Sequence, residues 1–513
     1  MNLSIISLFL FLLFSFLADG ARILAVFSFC NHSHFWLGFR LVQELAKRGH
    51  EVTFINCFPQ KTPIKNLRDV SVAETKDAIK EKLSELVDFG QKSYWGQLEF
   101  MNEVGIIYTK EVFSSPNVQN LLQSNEEFDL VLLEHFMNDA MVYFHHRFNC
   151  PLVFSAPGPS SVLNNHLSAN FAPPSYVPNL LSDHDSKMDF WERLTNTYLD
   201  VVGGINIHYS AIPNQAALLK EFFPTAPPLD DMLYNASLIF TSSHVSLYGP
   251  APSQQNVKQI GGYHVPPVNP LPKEMKEFLD NATEGVVIFS MGSNLQASHF
   301  EEDKKNAIFK TFSKLKQKVL WKFEINYPEI SNNVKILSWI PQNDVLAHPN
   351  VVAFISHGGL LGTMEALNHG VPILGLPVYW DQMKNIADAA RRGFALRLDY
   401  KNLNEHNFQR LLTEILTDAN YRQSAKKQSR IFHDQPVKQI DEAMFWLEYV
   451  IRHKGAPHLM TAAIKLKWYQ LHLLDIYLFI ATIMSVSVFI IYITAKKYSI
   501  SSGEKIDLRN KTK

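Results

Sequence analysis

Several short clusters in this chain combine residue types that hold anions or move protons. Ser356-His357-Gly358-Gly359 stands where an apolar run gives way to a helical pattern, and glycines there let backbone N–H groups approach an anion closely, as a phosphate cradle requires. Gly292-Ser293 closes a second apolar run in the same way and adds a hydroxyl. Trp339-Ile340-Pro341-Gln342 offers an aromatic ring to stack on a base and an amide to bond a ribose. Glu365, one or two turns past the glycines, is suited to accept from ribose hydroxyls. Asp381-Gln382 opens a further helix, where an Asp is also an ordinary cap. Each cluster alone is equally what a tight turn or a core tryptophan would show, so a nucleotide site rests on their combination.

The elements that must position these clusters follow from length and periodicity. A chain of 513 residues exceeds what one core serves, so two domains are expected. With 46% hydrophobic and 19% charged residues it is globular, and 48 Lys+Arg against 49 Asp+Glu give no field that favours nucleic acid. Three cysteines, Cys30, Cys57 and Cys150, allow one disulfide at most and no Cys-rich zinc module. Residues 22–29, 34–48 and 52–56 read as strand, helix and strand, with further strands at 128–133 and 151–155, so a parallel sheet is expected. Four prolines between positions 261 and 272 mark a linker, after which strands and helices alternate again from 285 to 391. Two doubly wound α/β domains are predicted, with a cleft at their strand C-termini.

The ends carry a different signal. Residues 1–20 read as a cleaved secretory leader. Residues 476–495 are uncharged and long enough for one transmembrane helix, and the Lys and Arg after it belong on the cytosolic side. The expected placement is single-pass type I in the endoplasmic reticulum membrane with a lumenal body, where Asn31-His32-Ser33, Asn235-Ala236-Ser237 and Asn281-Ala282-Thr283 would be glycosylation sequons. The resulting division is 21–265, 266–455, a membrane-proximal segment 456–475, the span, and a tail 496–513.

Taken together, W-I-P-Q at 339–342, S-H-G-G-L-L-G-T-M-E-A-L-N-H-G-V-P-I-L-G-L-P at 356–377 and W-D-Q-M-K-N at 380–385 closely resemble the signature of the UDP-glycosyltransferases. The resemblance extends to R-G-H-E-V-T at 48–53, F-S-M-G-S at 289–293 and W-L-E-Y-V-I-R-H-K-G-A-P-H-L at 446–459, so it covers essentially the whole chain. It implies the GT-B fold, two facing Rossmann-like domains, with a UDP-sugar as co-substrate, no permanently bound cofactor and no metal. Carried over, it implies Trp339 on uracil, Gln342 and Glu365 on the ribose, Ser293, His357 and Thr363 with the Gly358 and Gly359 turn around the pyrophosphate, and Asp381 and Gln382 facing the sugar. Leu361 and Gly362 stand where plant members often have Asn and Ser, which leaves the phosphate contacts there to backbone amides.

A hydroxyl acceptor needs a base, and a neutral imidazole suits that task near pH 7. His34, in the Ser-His-aromatic setting of Ser33-His34-Phe35, is the candidate; His32 is its nearest rival and His50 reads as structural. The family's partner carboxylate corresponds here to Glu134, a departure from the common Asp, with Asp139 five residues on as the alternative. Asp183-His184-Asp185 matches an Asp-x-Asp metal motif only in spacing, because no apolar strand precedes it, and capping or exposure is the preferred reading. The first domain is rich in aromatics (Phe35, Trp36, Phe136, Tyr143, Phe144), which fits a small lipophilic acceptor. Glucose is the preferred sugar and glucuronic acid the second; lipid or sterol glycosylation and a non-catalytic lipophile-binding homologue are the rival readings. Homo-oligomerisation is left open.

Overall fold

The computed structural model describes residues 20–83, 89, 92–292, 300–323 and 331–511, so the leader read at 1–20 lies, Gly20 apart, outside the described residues. The chain divides into two compact units, Met1–Met460 and Thr461–Lys513. The first unit holds two sheets whose strand pairs are all parallel. Strands β1 (Arg22–Phe27), β2 (Glu51–Asn56), β3 (Leu67–Ser71), β4 (Leu130–Glu134), β5 (Leu152–Ala156), β6 (Leu238–Thr241) and β7 (Val257–Gln259) lie in the order β3-β2-β1-β4-β5-β6-β7. Strands β8 (Val286–Ser290), β9 (Lys318–Lys322), β10 (Val334–Leu337), β11 (Val351–Ser356), β12 (Ile373–Gly375) and β13 (Ala395–Arg397) lie in the order β10-β9-β8-β11-β12-β13.

The inner strands, β1, β4, β5 and β6 of one sheet and β8, β11 and β12 of the other, read as apolar runs because both of their faces are buried, whereas β3, β7, β10 and β13 at the sheet edges are only partly buried. Along β1, Leu24 and Val26 join one core while Ile23, Ala25 and Phe27 join the core on the opposite face. Val286 and Ile288 of β8 separate from Val287 and Phe289 in the same way. Each order reverses once, between β1 and β4 and between β8 and β11, and at such a switch point the connections diverge and leave a crevice beyond the strand C-termini.

The helices that matter for the site are α1 (His32–Lys47), α2 (Tyr94–Ser114), α3 (Phe190–Asn206), α4 (Leu360–His369), α5 (Gln382–Arg391) and α6 (Gln439–Arg452). A disulfide between Cys30 and Cys57, Cα atoms 5.2 Å apart, ties the exits of β1 and β2, while Cys150 is free and buried. Closing that loop restricts the unfolded chain by about 3–4 kcal/mol on a chain-entropy account. α6 packs Ala443, Met444, Leu447 and Val450 into the core shared by β1 and α1. The boundary read at 266–455 groups this helix with the second half, whereas its packing groups it with the first; an apolar stripe in sequence does not say which sheet will cover it.

In the second unit, α7 (Leu474–Lys511) contains Leu474–Ser499, 26 residues that include an 18-residue window of mean hydropathy 2.4. At ~1.5 Å per residue this exceeds a hydrocarbon core of ~30 Å.

α1 can lie close on β1 only because its second turn carries Gly38: a Cβ there would meet the Phe27 ring at 2.3 Å. Gly38→Ala is expected to destabilise the body by about 1–3 kcal/mol through overpacking, read as a lowered thermal midpoint. An unchanged midpoint would show that the helix does not sit this close.

Candidate active site

The first half of the site forms at the switch point between β1 and β4. Asn31 caps α1, its Oδ1 accepting from Ser33 N at 2.9 Å and Ser33 Oγ at 2.8 Å. The carboxamide of that sequon is thus engaged by the helix, whereas Asn235 and Asn281 are exposed. The cap fixes the first turn, and with it His34. His34 Nδ1 lies 2.7 Å from Glu134 Oε1 at the end of β4. A carboxylate only accepts, so Nδ1–H donates and Nε2 keeps its lone pair. The imidazole packs between Phe29 and Phe136, ring centroids 4.9 and 4.4 Å away, and its side chain is 12% exposed against 2% for Glu134.

Asp139, the alternative partner, is not on His34. Its Oδ1 lies 2.9 Å from His135 Nε2. The turn after β4 accounts for this: Asn138 Nδ2 donates to Glu134 O at 2.9 Å and its Oδ1 accepts from Phe136 N at 2.8 Å, which folds Asp139 back into the interior. Burial opposes ionisation of Asp139 most, yet the hydrogen bond and charge of His135 bring its carboxyl below the usual range. His166 faces the same pair, and burial pushes its pKa down to about 3. Among the described residues, His135, Asp139 and His166 form a group with the donor types of a metal site, their ligand atoms within 4.8 Å of one another. His32 instead stacks on Phe58 at 4.1 Å, and His50 Nδ1 accepts from Ala21 N at 3.2 Å, a structural role.

The second half of the site lies at the switch point between β8 and β11. His357 follows β11, and its ring fits between two turns only because both carry glycine: a Cβ on Gly292 would meet His357 Cε1 at 2.7 Å, and one on Gly359 would meet Nε2 at 2.5 Å. Gly292 and Gly358 also hold φ of +79° and +82°, where side chains are strained. Burial and then the Lys322 ammonium push the His357 pKa down to about 4, so the ring is neutral, and its buried Nδ1 has no partner. Thr363 Oγ1 of α4 is likewise buried without a partner. Ser293 lies outside the described residues.

Trp339 is 66% exposed, free to offer a ring face. Gln342 Nε2 donates to Glu365 Oε2 at 2.6 Å, which brings the two expected ribose contacts together. Asp381 precedes α5 without capping it; burial raises its pKa, and its Oδ2 accepts from Asn385 Nδ2 at 2.7 Å. Asn385 also donates to Gly358 O at 3.0 Å and accepts from Tyr248 OH at 2.5 Å, so the Asp381 turn and the glycine turn are held as one piece. Gln382 is committed to its own turn, its Oε1 accepting from Val378 N and Tyr379 N at 2.9 and 3.2 Å.

The two halves meet. Burial raises the Asp381 pKa, and His34 lies near enough that a proton on its ring would lower it. Trp380, at φ +60°, lays its ring on Phe89 at 5.0 Å and 6°, which carries the Asp381 turn over the first half. Asp183 of the Asp-x-Asp triplet bonds Arg397 Nη1 at 2.8 Å and Arg391 donates to its carbonyl, so the triplet clasps the second half. The hydrogen bond from Arg397 is what chiefly lowers the Asp183 pKa. Sequence reasoning missed Lys322, whose Nζ donates to Gly292 O at 3.0 Å and whose charge reaches both His357 and His32. The available signal was a lysine ending the buried strand Lys318–Lys322. The arrangement pairs a base that can take a proton with two glycine turns that can hold an anion.

Comparison with known proteins gives a consistent picture. A family model described as UDP-glucoronosyl and UDP-glucosyl transferase matches residues 24–509. The chain is 34% identical to UDP-glucosyltransferase 2 of Dactylopius coccus, covering 99% of each. It is 33% identical to UDP-glucuronosyltransferase 2B14 of Oryctolagus cuniculus, covering 90% of each. Among solved structures, UDP-glucose: anthocyanidin 3-O-glucosyltransferase in complex with UDP aligns with a TM-score of 0.57 at 16% identity, over 85% of this chain and all of that one. The spinosyn forosaminyltransferase SpnP gives 0.57 at 17% identity, over 84% of this chain and 99% of that one. These likenesses show the GT-B fold.

The geometry makes Glu365 a pH-sensitive group, because burial pushes its carboxyl up to about 7 while the Gln342 hydrogen bond only partly opposes the shift. Below ~4.3 the carboxyl is protonated folded and unfolded alike; from there to about 7 the unfolded chain ionises first, so stability falls as pH rises. Above that the loss is constant. Glu365→Gln should therefore gain stability relative to the parent across this window and hold a level offset beyond it, read as denaturation midpoints against pH. A difference that does not change with pH would contradict the assignment.

Proposed function

The chain belongs to the UDP-glucoronosyl and UDP-glucosyl transferase family, and from that premise we propose inverting transfer of a glucosyl group from UDP-glucose to a hydroxyl of a small lipophilic acceptor. The observation that carries this reading is the His34–Glu134 pair opposite the Asp381 turn. His34 Nε2 takes the acceptor proton while Nδ1–H stays on Glu134, so the positive charge that forms is held beside a buried carboxylate. The acceptor oxygen attacks the anomeric carbon on the face opposite the nucleotide, the bond from that carbon to the phosphate oxygen breaks, and UDP departs with the electron pair. An α-linked donor thus gives a β-glycoside.

Each donor residue has a matching role. Trp339 stacks on uracil, and Gln342 and Glu365 divide the ribose hydroxyls, exchanging their mutual hydrogen bond for bonds to the sugar. Ser293, Thr363 and the amides of Gly358 and Gly359 hold the pyrophosphate at the N-terminus of α4, with His357 donating from a neutral ring and Lys322 adding positive charge. Asp381 accepts from the sugar hydroxyls, and Gln382 holds the turn that presents it. Positioning the two substrates supplies proximity, and the base typically contributes ~10²- to 10⁴-fold.

Glucose is preferred over glucuronic acid because the two cations of α5 are already engaged: Lys384 Nζ and Arg391 Nη1 lie 2.6 and 2.7 Å from Asp388. The sugar then meets Asp381, which disfavours a second carboxylate. The acceptor class rests on the aromatic walls around His34, Phe29 and Phe136, and on the C-terminal apolar helix. The test is a panel of UDP-sugars against simple phenols and alcohols with purified full-length protein. UDP-glucose should exceed UDP-glucuronate in kcat/KM by at least about tenfold, a difference of ~1.4 kcal/mol in transition-state binding. The reverse preference would overturn the sugar assignment, and no transfer from any UDP-sugar would overturn the reading as a whole.

A further inference from the structure

α3 is built the wrong way round for a helix in water. Its fully buried positions, Asn196, Gly203 and Asn206, are polar or small, and Val202 is the partly buried apolar residue beside them that packs on the core. Asn196 Nδ2 donates to the carbonyls of Pro174 and Val177, both at 2.8 Å, and its Oδ1 accepts from Asn179 N at 2.7 Å. Gly203 sits where a Cβ would meet Val162 Cγ1 at 2.9 Å, and Asn206 Nδ2 donates to Glu99 Oε1 at 2.6 Å. The outward side carries Trp191, Leu194, Tyr198, Val201 and Ile205, continued by Tyr209 in the π-helical turn Ile207–Ala211, all between 45 and 74% exposed. At ~100° per residue these side chains share an arc of about 80°, centred opposite Asn196 and Gly203.

We propose that this face is seated in the interfacial layer of a zwitterionic lipid bilayer. A surface helix in water turns its apolar side to the core, and here the hydrogen-bonding side is turned inward and the apolar side outward. Trp and Tyr mixed with aliphatic residues are the composition that suits the boundary between headgroups and acyl chains. The charges of α3 lie off this arc. Arg193 donates to Met188 O at 2.9 Å and Asp200 accepts from Asn179 Nδ2 at 3.3 Å. With Glu192, they leave one cation against two carboxylates, so the attraction is apolar and needs no anionic lipid. Lipid is favoured over a second protein copy because the same chain holds the apolar helix Leu474–Ser499, separated from Met460 by the thirteen residues 461–473. At no more than ~3.5 Å per residue that stretch reaches about 45 Å, so a bilayer holding the helix stays at high effective concentration for any lipid-seeking face of the body. Seated in this way, the half that carries His34 rests on the phase in which apolar acceptors dissolve. That consequence rests on the proposed acceptor class, whereas the seating and its test do not.

The test uses the full-length chain in phosphatidylcholine nanodiscs, with the environment-sensitive fluorophore NBD at Leu194→Cys or Tyr198→Cys and, as reference, at Asn420→Cys on the exposed start of helix Ala419–His433. Labelling is selective, since Cys150 is buried and Cys30 and Cys57 are bridged. At 194 and 198, emission should shift to the blue, doxyl-labelled lipid should quench it, and iodide should quench it at least about fivefold less than at 420. Added anionic lipid or salt should change none of this. Iodide quenching equal to that at 420 would overturn the proposal, as would protection from both quenchers, the sign of a face covered by protein. Lipid quenching that appears only with anionic lipid would overturn the zwitterionic assignment.

Discussion

The hydrogen bond between His34 and Glu134 is the constraint around which the first half is arranged. It joins the first turn of the helix after β1 to the last residue of β4, and it exists because those two strands are parallel neighbours, Val26 opposite Leu133. Register places Glu134 at the C-terminal end of β4, the Asn31 cap fixes the turn that carries His34, and Phe29 and Phe136 flank the imidazole. Removing one partner would leave the other buried and unsatisfied, so the pair specifies both the tautomer of the histidine and the shape of the loop that holds it.

The second half is organised by close approach rather than by charge pairing. The imidazole of His357 occupies space that side chains at Gly292 or Gly359 would take, and the neutral ring is left with a buried Nδ1 that has no partner. The network Asp381–Asn385–Gly358 then ties the Asp381 turn to the glycine turn, the two turns proposed to face the sugar and the phosphates. In the proposed reaction, such pre-organisation would let hydrogen-bond donors stabilise charge on departing UDP without first having to move.

Most of this was legible in the sequence, and the remainder was not for physical reasons. Parallel strands buried on both faces announce themselves as unbroken apolar runs, and glycine turns after them as close-approach sites, so most inner strands and the turns at 292 and 357–359 could be read from residue order, whereas the short strands β3, β6, β7 and β13 were not read. The choice between Glu134 and Asp139 could not, because it depends on how Asn138 folds the chain back after β4. Lys322 was missed because its role comes from the neighbouring strand, and the side of the molecule on which α6 packs is a tertiary choice with no local mark. The Asp183 triplet, read as capping or exposed, is exposed at Asp183 and Asp185; its clasp to Arg397, a partner 214 residues away, had no local mark.

The central claim is that His34 acts in proton removal while the nucleotide is held by the other half. The most direct measurement is turnover and UDP affinity of His34→Ala on one preparation of the full-length protein. Turnover should fall by at least ~10²-fold while the Kd for UDP changes by no more than about twofold. Undiminished turnover, or a loss of UDP affinity in proportion to the loss of rate, would contradict it.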